Sequence, residues 1–120
     1  MMIHKKSGLI RAVKCLKRFP GMDRKKIAQE VIILKRLSHP NITKHFSLNQ
    51  SDDFLYITQE YSNGGSLLES ILQKETFGET FAAEIIKKVL KGISYLHSVG
   101  VVHGGLCPEK ILFMTRNKRF

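Results

Sequence analysis

The spacing of apolar residues changes along this 120-residue chain, and each change marks a new secondary-structure element. The stretch GLIRAVKCLK at residues 8–17 alternates apolar and polar side chains, which is typical of a half-buried strand. Beyond Pro20 and Gly21 the period becomes that of a helix with Asp23 as its N-cap. The helical stripe consists of Ile27, Val31, Leu34 and Leu37. A strand followed by one amphipathic helix is therefore predicted for the first third of the chain.

The middle of the chain is predicted to form a β-hairpin, and the rest to be mainly helical. Residues 42–50 and 54–61 are rich in strand-forming side chains, and the polar sequence SDD between them suits a turn. A short helix is expected around residues 67–72 and a longer one at 79–98, with Gly100 as its C-cap residue. The expected core side of the longer helix consists of Ala82, Ile86, Val89, Ile93 and Leu96. This order predicts an α+β fold, in which a small antiparallel sheet with one helix precedes a helical part.

The formal net charge of +10 is concentrated in residues 1–44, which hold twelve Lys or Arg against two acidic residues. Such a segment could bind nucleic acid or an anionic surface, with strong salt dependence. Solvated lysines on helix and strand faces are the commoner cause, and the segment has no binding motif or aromatic residues interleaved with its basic ones. A basic interaction module is therefore the second interpretation, and nucleic acid is not the expected partner.

Neither cysteine indicates a metal or disulfide site. Cys15 and Cys107 lie far apart and belong to no CxxC pattern, and the histidines lack metal-ligand spacing. No apolar run approaches the roughly 18 residues that a membrane helix needs, and no apolar signal region follows the basic N-terminus. We expect a cytoplasmic protein without a membrane span, with the nucleus as the alternative compartment.

Glu30 is an oddity because it falls inside the apolar stripe of the first helix. A carboxylate that faces a core is costly unless a cation meets it. Lys14 is the natural partner, since alternation places it on the inner face of the preceding strand. The pattern allows two interpretations, an ion pair between these side chains or a glutamate that borders the stripe.

Five motifs in order carry a resemblance to a known family. They are RAVK (11–14), HPNI (39–42), LYITQEYSNGGSL (55–67), ISYLHSVGVVH (93–103) and LCPEKILF (106–113). Together they resemble a eukaryotic serine/threonine protein kinase domain, most like the calcium/calmodulin-dependent and calcium-dependent group. The resemblance runs from about Gly8 to Phe113 and implies a partial kinase fold. Residues 1–61 would form part of the N-lobe up to the hinge, and residues 62–120 would begin the helical C-lobe.

The resemblance assigns nucleotide contacts residue by residue. Lys14 corresponds to the strand lysine that grips the α- and β-phosphates of ATP, and Glu30 to its helix partner. The remaining positions implied for adenine are Ala12, the gatekeeper Gln59, and the backbones of Glu60 and Ser62. The resemblance therefore implies an ATP site, which we expect to be weak.

The same resemblance shows that the catalytic residues have been replaced. In the H-R-D-L-x-x-x-N loop, Gly105 stands where the family has its catalytic aspartate, and Cys107 where it has a lysine. Lys110 replaces the asparagine that holds magnesium, and an ammonium repels a cation that needs oxygen ligands. We expect no catalytic residue, no metal ligand and no bound magnesium.

The chain contains neither a G-x-G-x-x-G phosphate loop nor a D-F-G sequence. We therefore expect a pseudokinase-like chain, unable to transfer phosphate as written, that retains weak ATP binding or a protein-docking role. A fragment of a longer ATP-dependent serine/threonine kinase is the remaining alternative. Because only three strands are predicted, open apolar edges should favour a protein partner or self-association.

Overall fold

The computed structural model describes the backbone of residues 2–3 and, in full, residues 8–73 and 76–115. Two compact units are present, Met1–Ser38 with Ile42–Tyr61, and His39–Asn41 with Ser62–Phe120. The first seven residues of the basic segment 1–44, apart from the backbone of residues 2–3, lie outside the described part. The same holds for residues 116–120, most of the basic tail.

In the part of the chain that the structure describes, the first unit is built on a four-stranded antiparallel sheet with the strand order β1-β2-β4-β3. Its elements are β1 (Met2–Ile3), β2 (Ile10–Lys17), α1 (Arg24–Arg36), β3 (His45–Gln50) and β4 (Phe54–Glu60). The strand, the helix and the hairpin confirm the sequence prediction. The fourth strand, β1, was not predicted, because two residues are too short to show a period.

The register of β2 against β4 decides which side chains share a face of the sheet. Lys14 lies opposite Ile57, and Leu16 lies opposite Leu55. Because side chains alternate along a strand, Ala12, Lys14 and Leu16 project from the same face as Leu55 and Ile57. Leu55 is only 2% exposed, so this face carries the core of the first unit.

Helix α1 packs against β3 with the stripe that its sequence predicted. Val31 and Leu37 are buried, while Ile27 and Leu34 are half-buried. Asp23 caps the helix as expected, since its Oδ1 accepts a hydrogen bond of 3.0 Å from the Lys26 N–H.

Among its described residues, the second unit contains two helices, α2 (Leu67–Leu72) and α3 (Glu79–Ser98), and a short 3₁₀ turn (Pro108–Lys110). A capping box begins α2: Ser66 Oγ accepts from the Glu69 N–H at 3.1 Å, and Glu69 Oε2 accepts from the Ser66 N–H at 3.0 Å. Gly100 follows α3 with a φ of +73°, which confirms its predicted role at the helix end.

The buried side of α3 differs from the prediction at Ile86, which is 55% exposed. Leu96 is buried as expected, and Ala82, Val89 and Ile93 are half-buried, whereas Ile85 and Gly92 are buried although they were not predicted. The prediction was wrong because α3 has apolar residues on two sides, and periodicity alone does not decide which side is covered. Among the described residues, no helix combines the length and apolar character that crossing a membrane requires.

Candidate functional site

Lys14 and Glu30 both lie in the first unit, in β2 and α1, but they do not form the expected buried pair. Lys14 shares its sheet face with Ala12, as predicted, yet both charged side chains are exposed. Within residues 8–73 the structure places no ion pair between them. Glu30 borders the apolar stripe and keeps its hydration, so no cation is required to offset burial. The inward orientation of Glu30 is therefore corrected, while a role for either residue at a phosphate stays a prediction.

The strands bring three of the predicted adenine positions close together. Ala12 lies directly opposite Gln59, and Glu60 ends β4 one residue further along. All three are half-buried. Ser62 belongs to the second unit, where its hydroxyl lies 3.5 Å from the sulfur of Met114.

Glu60 is fixed by hydrogen bonds to Lys44. The Glu60 N–H donates to the Lys44 carbonyl at 2.8 Å, and Glu60 Oε2 accepts from the Lys44 N–H at 3.3 Å. The Lys44 ammonium in turn donates to the carbonyl of Leu37, the C-cap of α1, at 3.1 Å. This network ties the end of β4 to the end of α1, and the sequence motifs gave no signal of it.

Sequence reasoning did not single out two further residues of the first unit, Arg11 and His45. The Arg11 guanidinium lies 3.5 Å from the ring centroid of Phe46, which is a close cation–π contact, and its buried Nε has no hydrogen-bond partner in the described structure. Burial lowers the pKa of His45 below its ordinary value of 6.5, although the hydrogen bond to the Thr43 carbonyl acts in the opposite direction. Alternation of β2 does place Arg11 on the face opposite Ala12.

The loop of residues 103–110 is exposed over most of its length. Gly104 has a φ of +68°, and the Gly105 N–H donates to Nδ1 of His103 at 3.4 Å. The Lys110 ammonium donates to the Gly105 carbonyl at 2.8 Å. A Cβ built on Gly105 would meet Lys110 Nζ at 2.9 Å. The side chain of Lys110 therefore fills the space beside residue 105, where the resemblance expects a carboxylate.

This loop does not fit the magnesium ion that the resemblance implies. Its side chain at the position of the metal-binding asparagine is the Lys110 ammonium, which offers a positive charge and no oxygen ligand. Across the described residues, no three His, Cys, Asp or Glu side chains come together to hold a metal ion. Cys15 and Cys107 are both free thiols.

A packed segment lies directly after the loop, where residues 113–114 are hydrogen-bonded to residues 63–65. Gly64 donates from its N–H to the Phe113 carbonyl at 3.0 Å, and the Phe113 N–H donates to the Gly65 carbonyl at 2.9 Å. Phe113 is fully buried. A Cβ on Gly64 would meet Phe113 Cβ and the Phe113 carbonyl oxygen, each at 2.6 Å, so only glycine fits.

Comparison with known proteins places these features in context. A family model described as "Protein kinase domain" matches residues 1–119. Calcium-dependent protein kinase 4 of Plasmodium berghei is 41% identical over 96 residues, which covers 80% of this chain and 18% of that protein. Calcium/calmodulin-dependent protein kinase type II of Caenorhabditis briggsae is 36% identical over 118 residues, or 97% of this chain and 22% of that protein.

The solved structure of Rad53 residues 1–466 in complex with AMP-PNP is similar in fold, with a TM-score of 0.81 and 29% identity. The match covers 92% of this chain and 29% of that one. The chain spans between 16% and 31% of the length of five curated relatives, all of them calcium-dependent or calcium/calmodulin-dependent protein kinases.

Proposed function

Because the chain belongs to the protein kinase family, with relatives in the calcium-dependent and calcium/calmodulin-dependent group, we propose that it is a kinase homologue that does not transfer phosphate as written. The observation that carries this proposal is the hydrogen bond from Lys110 Nζ to the Gly105 carbonyl. It leaves an ammonium where the family reaction needs a proton acceptor and a metal ligand. The family itself performs ATP-dependent protein phosphorylation.

The magnitude of the loss supports the proposal. A general base alone is typically worth about 10²–10⁴-fold in rate, and phosphoryl transfer depends largely on metal-assisted charge neutralisation. Gly105 cannot accept a proton from a substrate hydroxyl, and Lys110 cannot bind magnesium. We expect transfer of labelled γ-phosphate to a peptide to remain at background; transfer that Lys14→Met abolishes would overturn the proposal.

We further propose that the chain retains weak ATP binding. The residues that would hold the nucleotide are Ala12, Lys14, Glu30, Gln59, Glu60 and Ser62. The support is the pairing of Ala12 with Gln59 at the end of β4, on the same sheet face as Lys14. Lys14 would attract phosphate as an exposed ammonium, without the buried glutamate partner that the sequence suggested.

A thermal-shift titration with ATP, with and without magnesium, tests nucleotide binding. At ten times the dissociation constant, ATP would stabilise the folded chain by about 1.4 kcal/mol. Lys14→Met should reduce this shift, whereas the control Lys17→Met, on the opposite face of the same strand, should leave it intact. No shift at millimolar ATP would reject the proposal.

Two alternatives are tested alongside it. A basic interaction module would bind a nonspecific oligonucleotide with submicromolar affinity and a steep dependence on salt. A fragment of a longer kinase is supported by the small share of each relative that the chain spans. Sequencing of the full transcript tests that alternative. Kinase activity in a longer chain that still carries Gly105 would contradict the proposal that this chain does not transfer phosphate. We propose a cytoplasmic location for either form.

A further inference from the structure

Ser51 lies in the turn between β3 and β4, directly before two carboxylates. Ser51, Asp52 and Asp53 are all exposed. The Ser51 Oγ accepts from the Phe54 N–H at 3.2 Å, and the Ser51 N–H donates to the Phe54 carbonyl at 2.9 Å. Within residues 8–73 and 76–115, no other exposed serine or threonine is followed directly by two acidic residues. Ser51 therefore combines an accessible hydroxyl with a charge pattern that the other exposed hydroxyls lack.

A half-buried arginine from the connection between β2 and α1 contacts this turn. Arg18 Nη1 donates to the Ser51 carbonyl at 2.6 Å, and the Arg18 N–H donates to the Asp53 carbonyl at 2.8 Å. Both bonds go to backbone oxygens, so they position the guanidinium beside Ser51 without placing a carboxylate on it. A guanidinium has five N–H donors, and the described structure uses one of them here. Donors are therefore left for an oxyanion.

An open cleft next to this turn contains a second arginine. The cleft, here called the Arg18 cleft, is lined by Arg18, Arg24, Asp52 and residues 19–22. Its walls come from two separate loops, the connection between β2 and α1 and the turn between β3 and β4. Arg24 is exposed and is the first residue of α1, where the helix dipole also favours a negative charge.

The charges at the Arg18 cleft suit a phosphate better than a carboxylate. Arg18 and Arg24 contribute two positive charges to the lining, and Asp52 contributes one negative charge. Asp53 and the helix cap Asp23 also oppose an anion. A phosphoserine carries a charge of about −1.5 to −2 at neutral pH and three acceptor oxygens, so it can bind both guanidinium groups at once.

We propose that Ser51 is a phosphorylation site and that the Arg18 cleft receives the phosphate. The acting enzyme is a separate serine kinase that recognises carboxylates after the acceptor, with ATP as the phosphoryl donor. The Ser51 Oγ forms a bond to the γ-phosphorus as the bond to the β,γ-bridging oxygen breaks. ADP leaves, and the hydroxyl proton passes to a base of the acting kinase. Arg18 and Arg24 then hold the modified turn to the start of α1.

In this proposal the chain is the substrate, so neither its own ATP binding nor its own phosphate transfer is required. Failure of the ATP titration therefore leaves the proposal intact. A reaction without added kinase measures any transfer by the chain itself and keeps the two questions separate.

Labelling of the complete chain tests the modification. The chain is incubated with casein kinase 2, an acid-directed serine kinase, and ATP labelled at the γ-phosphate. Ser51→Ala should lose most of the label, and Asp52→Asn/Asp53→Asn should lower the initial rate about tenfold or more. The matched controls Ser94→Ala and Glu84→Gln, at exposed positions of α3, should be labelled like the unaltered chain.

Phosphorus NMR of the phosphorylated chain tests the cleft. The two arginines favour the doubly charged phosphate and therefore lower its second pKa. Arg18→Gln should raise this pKa by at least about half a unit, whereas Arg36→Gln, at the other end of α1, should leave it unchanged. Circular dichroism and the melting temperature establish that each variant is folded.

Four results would overturn the proposal. Absence of label in the folded chain, or equal labelling of Ser51→Ala and the unaltered chain, would remove the site. An unchanged rate in Asp52→Asn/Asp53→Asn would remove recognition through the carboxylates. A second pKa that responds equally to Arg18→Gln and Arg36→Gln would show that the phosphate stays in solvent rather than in the Arg18 cleft.

Discussion

Two regions of the second unit differ in burial. One is the packed segment, in which residues around Gly64 contact residues around Phe113, and the other is the exposed loop at residues 103–110. In the packed segment, backbone hydrogen bonds link residues 63–65 to residues 113–114, and Phe113 is fully buried. In the loop, the residues from Val102 to Leu106 are all exposed. The packed segment matches a motif that carries the resemblance, whereas the loop has Gly105 and Lys110 where the resemblance expects an aspartate and an asparagine.

The difference indicates that packing and chemistry constrain different positions. A Cβ at Gly64 would collide with backbone atoms, so substitution there costs folding free energy whatever the protein does. A substitution at Gly105 meets only the end of a flexible lysine side chain. We therefore expect substitutions in the loop to cost less folding free energy than substitutions in the packed segment, and the predictions below measure this difference.

Removal of the buried ring should have the largest effect. Phe113→Ala should lower the free energy of unfolding by about 3–5 kcal/mol, because it leaves a cavity and loses apolar burial. Leu106→Ala in the loop, where the side chain is 48% exposed, should change it by less than about 0.5 kcal/mol. Urea unfolding followed by circular dichroism measures both values. Equal decreases in the free energy of unfolding for the two variants would show that the packed segment and the loop do not differ in their contribution to stability.

The capping box of α2 should give the next largest effect. Ser66→Ala removes the acceptor for the Glu69 N–H and should cost about 0.5–2 kcal/mol in the same urea experiment. Ser94→Ala, an exposed serine inside α3, is the control and should be neutral or slightly stabilising, since alanine favours helix. A neutral Ser66→Ala would show that the packed segment does not depend on this cap.

A charge introduced in the loop should have a smaller effect. In Gly105→Asp, the new carboxylate would lie beside the Lys110 ammonium, which should lower the pKa of that aspartate below its usual value of about 3.9. The stability gain should stay below about 1 kcal/mol, because the pair is exposed. NMR titration of the aspartate measures the pKa, and adding Lys110→Met should raise it again. An unchanged pKa in both variants would show that Lys110 does not stay near position 105.

His45 provides the smallest effect, one that depends on pH. Burial lowers the pKa of His45, so the unfolded chain binds a proton first as the pH falls below 6.5. Stability should therefore decrease from pH 6.5 downward until the folded state is protonated too, and His45→Gln should remove that part of the decrease. Urea unfolding between about pH 5 and 8 measures the slope. A steeper slope in His45→Gln would contradict the expected sign.

Much of the fold could be predicted because it rests on local patterns. The stripe from Ile27 to Leu37, the Asp23 cap and the positive φ of Gly100 each follow from residues close in sequence. The short strand β1 and the choice of Ile85 over Ile86 could not be predicted in this way. Both depend on which other element covers a residue, and a single helical period does not contain that information.

The candidate site, too, could be predicted only in part from the sequence. Motifs identified Ala12, Lys14 and Gln59 as neighbours in function, and the pairing of β2 with β4 puts Ala12 and Gln59 opposite each other. They suggested a buried partner for Glu30, whereas the side chain is exposed. They also identified Lys110 as a replacement without indicating that its ammonium reaches the carbonyl of residue 105. A contact made by a long flexible side chain produces no periodic pattern in the sequence, so periodicity does not predict it.

The hydrogen bond between Lys110 and Gly105 couples the two positions. An aspartate at 105 would place a carboxylate beside the Lys110 ammonium, whereas an asparagine at 110 would remove that ammonium. A substitution at either position therefore changes the electrostatic surroundings of the other, so the double variant should deviate from the sum of the two single variants.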